Sequence, residues 1–283
     1  MNGPDILVRS LALATISDKF GNKWQYHPQS DRHSKIGSWG ILFDLLNESP
    51  LMRQHVEGGK VIFGVNHQMS DFKTMRKKNL DLVIARPGTA SGGRRRTDFA
   101  SLAPQYGIVL TAEQASLLKQ LPKLEGGPVG SVLLALEAKA SMTEHTKARP
   151  RLYDELNSSH MTIHGAAEQA IAAGLVMINA SASFISPGRN KRNLAKSRPA
   201  VTSHKQPEAA AGVIAKIREM HRRTRPQDEG FDAIGIVVID AKNDGSPIQL
   251  VTLPPAPTSA DDYHYDQMIR RIRQKYEVIF ANI

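Results

Sequence analysis

The sequence contains no cysteine, and only 6% of its residues are aromatic. Without cysteine there is no disulfide framework, no thiolate metal site and no cysteine nucleophile. The absence of cysteine also fits a reducing compartment. We therefore expect a cytoplasmic protein whose fold depends on its core and not on cross-links.

The chain also lacks a long hydrophobic run. The longest uncharged stretch is 169–188, but its Gln, Asn, Ser and Gly content makes it a poor membrane span. Near the N-terminus, Asp5 and Arg9 interrupt the apolar segment that a secretory signal needs. Hydrophobic residues make up 41% of the chain, which is enough for a core. We expect a soluble, folded protein without a signal peptide.

Acidic residues are fewer than basic ones. The chain has 27 aspartates and glutamates and 37 lysines and arginines, which gives a formal net charge of +10. A basic protein attracts polyanions, and nucleic acid is the most abundant of these. The stretch 186–206 carries six basic residues and no acid, and a Gly- and Arg-rich stretch precedes Asp98. The residues expected to contact phosphates are Arg94, Arg95, Arg96, Arg189, Lys191 and Arg192.

The hydrophobic pattern predicts an α/β fold, because short β-branched segments alternate with segments of helical period. The predicted strands are 60–65, 80–85, 131–139, 175–180 and 233–240, with 248–253 as the hairpin partner of the last. The predicted helices are 36–46, 111–121, 146–156, 159–174, 207–225 and one that starts at Asp261 and Asp262. Thr111 and Gln114 form a capping-box pattern at the start of the second of these helices.

The strand predicted at 131–139 ends in two opposite charges. Residues i and i+2 of a strand project on the same face, so Glu137 and Lys139 lie side by side. Both faces are apolar before the charges begin: Leu133 and Ala135 share the face of the pair, and Val132, Leu134 and Leu136 line the other. Charges at the end of a buried strand persist when they pair, hold a metal or catalyse.

The acid-x-Lys triplet alone is a weak signal, because chance supplies more than one in a chain of this composition. It also occurs at Asp71/Lys73, in a polar run, and at Asp240/Lys242, where a strand enters a turn. Only Glu137/Lys139 follows a strand that is apolar on both faces. This context makes the pair a candidate site.

A magnesium site needs a further carboxylate, and Asp81 opens the strand at 80–85. If this strand pairs antiparallel with 131–139, the start of one lies beside the end of the other, and Asp81 lies next to Glu137. Two carboxylates with open positions suit Mg²⁺. Lys139 could then orient a water or stabilise charge on a phosphate.

Asp81 followed by Glu137-x-Lys139 on strands of an α/β core resembles the PD-(D/E)XK nuclease superfamily, which includes most type II restriction endonucleases. The stretch "ALEAKASMTEHTKARPRLYDELNSSH" is also similar to restriction-endonuclease sequences. The resemblance covers about residues 36–180 and implies Asp81 and Glu137 as Mg²⁺ ligands and Lys139 as the catalytic lysine. The sequence departs from the family pattern in two ways: Leu80 replaces the proline before the first acid, and 55 residues separate Asp81 from Glu137.

The resemblance implies a restriction-endonuclease-like core of a helix, an antiparallel three-strand meander, a helix and a further strand. We expect a single nuclease domain over 1–283, with its core at about 36–180, a C-terminal extension at about 207–283 and basic loop insertions. The implied activity is Mg²⁺-dependent cleavage of double-stranded DNA by a homodimer, with a cognate DNA methyltransferase in the same system.

Two carboxylates remain alternatives within the site. Asp98 is a rival for the first acid but lacks strand context. Glu48, just beyond the helix at 36–46, matches an acid that some members of the superfamily add, although a charged helix end is usually only solvated.

Other polar residues near the motif admit a functional and a structural interpretation. Glu144 and His145 follow the motif closely enough to contact substrate, or they are ordinary solvated residues. His160 and His164 have the i, i+4 spacing of zinc ligands, but no third ligand is apparent, which favours structural histidines.

Two other functions stay open. One is a repair or recombination nuclease of the same superfamily that reads DNA structure instead of sequence. The other is a non-catalytic DNA-binding protein in which Glu137 and Lys139 form a buried ion pair. The sequence contains neither a G-x-x-x-x-G-K-[ST] loop nor a G-x-S-x-G elbow, which disfavours a P-loop ATPase and an esterase.

Overall fold

The computed structural model describes residues 1–72, 74–89, 97–225 and 227–283. The strands are β1 (Ile16–Ser17), β2 (Lys23–Trp24), β3 (Ile62–Ser70), β4 (Lys77–Pro87), β5 (Val129–Ser141), β6 (Ile171–Asn179), β7 (Ser183–Ile185), β8 (Val201–Ser203), β9 (Ala233–Asp240) and β10 (Gln249–Leu250). The helices are α1 (Gly3–Leu11), α2 (Arg32–Glu48), α3 (Pro50–Glu57), α4 (Leu102–Gln105), α5 (Ala112–Gln120), α6 (His145–Ala166), α7 (Glu208–Arg218) and α8 (Tyr265–Ile279), with a 3₁₀ helix at Leu194–Lys196.

A mixed six-stranded sheet occupies the centre, in the order β10-β9-β6-β5-β4-β3. Strands β3, β4 and β5 form an antiparallel meander, β5, β6 and β9 run parallel, and β10 closes one edge antiparallel to β9. Every residue of β6 is buried, as expected for a parallel strand covered by helices on both faces. The predicted α/β class is confirmed, and so is the antiparallel pairing of the two strands that carry Asp81 and Glu137.

Helices cover both faces of the sheet. One core contains the apolar residues of α1, α2, α3 and α8 together with Leu134 and Leu136 of β5. The other contains those of α6 and α7 together with Ala135. The inner helix α2 is buried along most of its length, and a Cβ at Gly37 would lie 2.7 Å from Leu175 Cδ2. Glycine therefore allows α2 to lie close against the sheet.

Within the described part of the chain, no helix combines the length and the apolar character that a membrane span needs.

Most predicted elements are present, but the region after β5 differs. A single helix, α6, replaces the two predicted at 146–156 and 159–174, and it ends at Ala166. The sequence predicts a helix that extends to Gly174, yet residues 171–174 begin β6. Burial between two parallel strands overrides the helical preference of alanine there. The predicted helix at 207–225 also ends early, at Arg218.

A β-bulge reverses the predicted faces of two residues of β5. Ile84 of β4 pairs with Leu134, but the next residue, Ala85, pairs with Val132, so Leu133 is the extra residue. Val132 therefore joins the core beneath α6, and Leu133 joins the core beneath α2, the reverse of strict alternation. Alternation holds from Leu134 onward, so Glu137 and Lys139 still share the α6 face with Ala135.

Candidate active site

Strands β4 and β5 separate at one point of the sheet. Their ladder ends at the pair Leu82–Leu136, whereas β3 and β4 continue to pair as far as Ser70–Lys77. On the other side, β5 and β6 stay paired to Ser141–Ile178. The sheet therefore divides into two arms. We call the gap that opens between Asp81 of β4 and Glu137 of β5 the fork.

Asp81 bridges the fork. Its Oδ2 accepts a hydrogen bond from the backbone N–H of Ala138 at 2.7 Å, which places the carboxylate against the peptide between Glu137 and Lys139. Burial raises the pKa of the Asp81 carboxyl, and hydrogen bonds from Ala138 and Ser34 oppose that shift. The fork thus brings the three predicted site residues together, although 55 residues of sequence separate the first from the second.

Glu137 is the most buried charged group of the fork, with only 2% of its surface exposed. Its Oε1 lies 2.7 Å from Lys139 Nζ, whereas its buried Oε2 has no hydrogen-bond partner among the described residues. Burial raises the pKa of the Glu137 carboxyl, and the nearby charge of Asp81 adds to the rise. An ionised carboxylate oxygen without a partner is costly in such surroundings, so this site favours an added cation.

Lys139 is held between two carboxylates. Besides its contact with Glu137, its Nζ lies 3.4 Å from Oε2 of Glu155 on α6. Burial alone would lower the pKa of the Lys139 ammonium, but the attraction of these carboxylates outweighs burial and raises it. Lys139 is therefore a fixed positive charge at the fork.

The structure adds residues that the sequence did not single out. Lys78 Nζ lies 3.9 Å from Glu137 Oε1 and donates to the backbone oxygen of Glu155 at 2.5 Å. Burial lowers the pKa of Lys78. At the start of α2, burial and the charge of Lys139 lower the pKa of His33 to about 4, so its imidazole is neutral at neutral pH. The predicted strand starts at residue 80, whereas β4 starts at Lys77 and therefore includes Lys78. No signal in the sequence indicates Glu155.

The two alternative acids lie outside the fork. Helix α2 presents its N-terminal turns to Asp81, so Glu48 at its other end is about 20 Å away at 1.5 Å per residue. There the backbone oxygen of Glu48 accepts a hydrogen bond from the Arg273 side chain. Asp98 forms a β-bridge with Glu125 instead of joining a strand of the fork.

The remaining histidines near the motif have structural partners. His160 contacts the Asn157 side chain at 2.7 Å, and His164 contacts the backbone oxygen of Gly230 at 3.0 Å. Burial lowers the pKa of each to about 4. His145 is buried and contacts the backbone oxygen of Asn179. These contacts support the structural interpretation of His160 and His164, whereas the burial of His145 shows that it is not a solvated residue.

An open cleft of about 500 Å³ adjoins the fork at the carboxyl end of β5. Its walls include Lys147 and Arg151 of α6, Arg189 of the loop after β7, and the predicted contact residue Glu144. Arg151 lies 3.8 Å from Glu155, the residue that also contacts Lys139. This basic cleft is therefore linked to the fork through α6, and it lies where ligand sites are expected, beyond the carboxyl ends of parallel strands.

The predicted phosphate contacts separate into three groups. Arg189 lines the cleft, and Lys191 is exposed on the same loop. Arg192 is exposed but is used within the loop, where it donates to Ser197 and to the backbone oxygen of Arg198. Buried Asn190 holds this loop by hydrogen bonds to Ser186 and Ala200. Arg94, Arg95 and Arg96 lie outside the described residues.

Within the described ranges there is no group of three or more His, Asp or Glu side chains arranged to hold a metal ion. A metal at the fork would have to complete its coordination with water or substrate in addition to Asp81 and Glu137. Comparisons with protein-family models, with curated proteins and with solved structures give no significant match for this chain. Any assignment of function must come from the geometry of the fork and the cleft.

Replacing Lys139 with methionine should lower the free energy of unfolding by about 1–3 kcal/mol near pH 8, because Glu137 keeps only the more distant Lys78. Burial raises the folded-state pKa of Glu137, so stability is greatest while this carboxyl is protonated and falls as pH rises through the raised pKa. Loss of Lys139 raises that pKa further, so the deficit should shrink towards acid pH. Urea unfolding of wild type and Lys139→Met, near pH 8 and at acid pH, measures this difference in the free energy of unfolding.

The double variant Glu137→Gln/Lys139→Met is the matched control for this experiment. It removes both charges and leaves side chains of similar size, so it should recover most of the lost stability near pH 8. An equal loss in the single and double variants, with no dependence on pH, would show that the ion pair is not the source of the effect.

Proposed function

We propose that this chain is a Mg²⁺-dependent DNA endonuclease of the PD-(D/E)XK type. The observation that carries the proposal is the fork, where Asp81 contacts the peptide between Glu137 and Lys139 and where β4 and β5 part. Two carboxylates and a lysine at the point where two paired strands separate, near a basic cleft, suit hydrolysis of a phosphodiester. The order of α2, the β3–β5 meander, α6 and β6 supports a core of this type.

The fork fits a hard divalent cation. Asp81 and Glu137 are oxygen donors whose pKa values are raised by burial, and Glu137 Oε2 has no partner among the described residues. A divalent cation would offset the cost of ionising both groups. Mg²⁺ commonly keeps several waters and uses one or two carboxylates together with substrate phosphate, so the small number of protein ligands is compatible with it.

Each fork residue has a definite part in this proposal. Asp81 and Glu137 hold Mg²⁺, which when bound supplies Lewis-acid stabilisation to the phosphate. Lys139 places a fixed ammonium 2.7 Å from Glu137, where it can orient the attacking water or stabilise charge on the phosphate oxygens. Lys78 and Glu155 keep Glu137 and Lys139 in position through their contacts.

The basic cleft supports DNA as the substrate. Lys147, Arg151 and Arg189 lie along its walls, and cationic side chains of this kind bind phosphates without reading sequence. In this proposal the enzyme is a cytoplasmic type II restriction endonuclease. It acts on double-stranded DNA as a homodimer, and a cognate methyltransferase protects the host site.

Plasmid digestion tests this function. Incubation of the protein with supercoiled plasmid and Mg²⁺ should give discrete fragments, and the fragment ends should share one sequence. Nicking or diffuse degradation would indicate a nuclease that reads DNA structure. DNA binding without cleavage, unchanged by Glu137→Gln, would overturn the catalytic proposal and leave a DNA-binding protein with a buried ion pair.

A further inference from the structure

The turn between β3 and β4 exposes two large apolar side chains. Phe72 is 76% exposed and Met75 is 75% exposed. The two residues lie close together in the sequence, at the end of a hairpin. We call residues 71, 72 and 74–76 the hairpin tip. Single exposed apolar residues are common on protein surfaces, but a neighbouring phenylalanine and methionine at the end of a projecting hairpin suggest a contact surface.

The hairpin tip is surrounded by positive charge. Arg76 and Lys77 are exposed. The one acid among the described residues of the tip, Asp71, is buried. Apolar side chains with a cationic border match a nucleic acid, whose bases are apolar on their faces and whose backbone is anionic.

The hairpin tip is also fixed to the body of the protein. The backbone N–H of Asp71 donates to the backbone oxygen of Arg76 at 2.8 Å, and its carboxylate accepts from Thr74. Asp71 packs against Gly165 near the end of α6, where a Cβ would lie 2.2 Å from its Oδ1. Phe72 and Met75 are therefore presented at a defined place instead of on a loose loop.

The first residues of β4 connect the hairpin tip to the fork. Met75 precedes Asp81 by six residues, a distance of about 20 Å at 3.3 Å per strand residue. That span corresponds to about six base pairs of duplex at 3.4 Å per step. Because the hairpin leaves β5 at the fork, a duplex in the fork would meet the basic cleft on one side and the hairpin tip on the other.

We propose that the β3–β4 hairpin is a second DNA-binding element, whose tip inserts Phe72 and Met75 against base steps about four to six base pairs from the scissile phosphate. The proposal rests on the proposed function, since it takes duplex DNA as the substrate. Arg76 and Lys77 contact the adjacent phosphates. Apolar wedges of this kind unstack bases and bend the duplex, which brings the scissile phosphate towards the fork.

Fluorescence of 2-aminopurine tests the insertion. The base is placed in turn at each position around the cleaved sequence that plasmid digestion identifies, and wild-type protein is added in Ca²⁺ to prevent turnover. Fluorescence should rise at a position four to six base pairs from the cut. The variant Phe72→Ala/Met75→Ala should lose that rise and should cleave about tenfold more slowly or weaken DNA binding to that extent.

Two exposed apolar residues elsewhere provide the matched control. Leu253 is 74% exposed and Val278 is 81% exposed, so Leu253→Ala/Val278→Ala removes similar surface away from the fork and should leave the signal and the cleavage rate unchanged. If wild type cleaves DNA but the hairpin variant matches it in both assays, the hairpin proposal fails and the proposed function stands. If wild type neither binds nor cleaves DNA, the proposed function fails, and the hairpin proposal fails with it. A change of oligomeric state in the hairpin variant without a change in 2-aminopurine signal would assign the tip to a protein interface and overturn the proposal.

Discussion

The variant Lys139→Met should cleave DNA at least about 10²–10³-fold more slowly than wild type in saturating Mg²⁺. Methionine fills the space of the lysine stem but removes the ammonium that lies between Glu137 and Glu155. The loss should appear in the rate of the cleavage step, because that ammonium acts on the reacting phosphate and not on the bulk of the DNA. Single-turnover cleavage with excess enzyme measures the step directly.

The rest of the chain offers a matched control for this variant. Lys242 belongs to another acid-x-Lys triplet, at the end of β9, and its side chain is exposed. Lys242→Met removes the same charge and should cleave like wild type. Equal cleavage rates for Lys139→Met and wild type, under conditions in which both proteins are folded, would show that Lys139 takes no part in the reaction.

Replacing Asp81 with asparagine should reduce cleavage by about 10³-fold, because a lost metal ligand forfeits several kcal/mol of transition-state stabilisation. Asparagine can still accept the hydrogen bond from Ala138, so the fork should keep its shape. Burial raises the pKa of Asp81, and removal of its charge should therefore leave stability near neutral pH unchanged or higher. Loss of cleavage without loss of stability is the expected combination.

Asp98→Asn is the matched control for Asp81→Asn. Asp98 is the rival for the first acid, but it forms a β-bridge with Glu125 away from the fork. Cleavage should be normal in this variant. The opposite result, with Asp98→Asn inactive and Asp81→Asn active, would assign the first acid to Asp98.

The sequence predicted the strands of the fork well, because local pattern determines them. The apolar residues of β4 and β5 are bounded by turn residues. Their antiparallel pairing is what the family resemblance implies, and it is present in the structure. The helical spacing of the apolar residues also predicts one inward face for α8, and all five of its members are buried: Tyr265, Met268, Ile269, Ile272 and Tyr276. Elements with a strong period and a single apolar face are those that sequence reasoning places best.

Features that depend on distant contacts were not predictable. The alanines before Gly174 favour a helix, and only burial between β5 and β9 makes them a strand. The bulge at Leu133 has no local signal, yet it exchanges the faces of Val132 and Leu133. Glu155 joins the fork because α6 packs back across β5, which depends on the tertiary fold. Sequence therefore predicted the charged residues on the strands but not the partners that hold them.

The most direct test of the account is the initial rate of loss of supercoiled plasmid, measured with wild-type protein in Mg²⁺ and in EDTA, beside Lys139→Met and Asp81→Asn. The account predicts cleavage by wild type in Mg²⁺ alone, and little or none by either variant although both bind DNA. Cleavage at the same rate in EDTA, or at the wild-type rate by both variants, would contradict a metal-dependent centre at the fork.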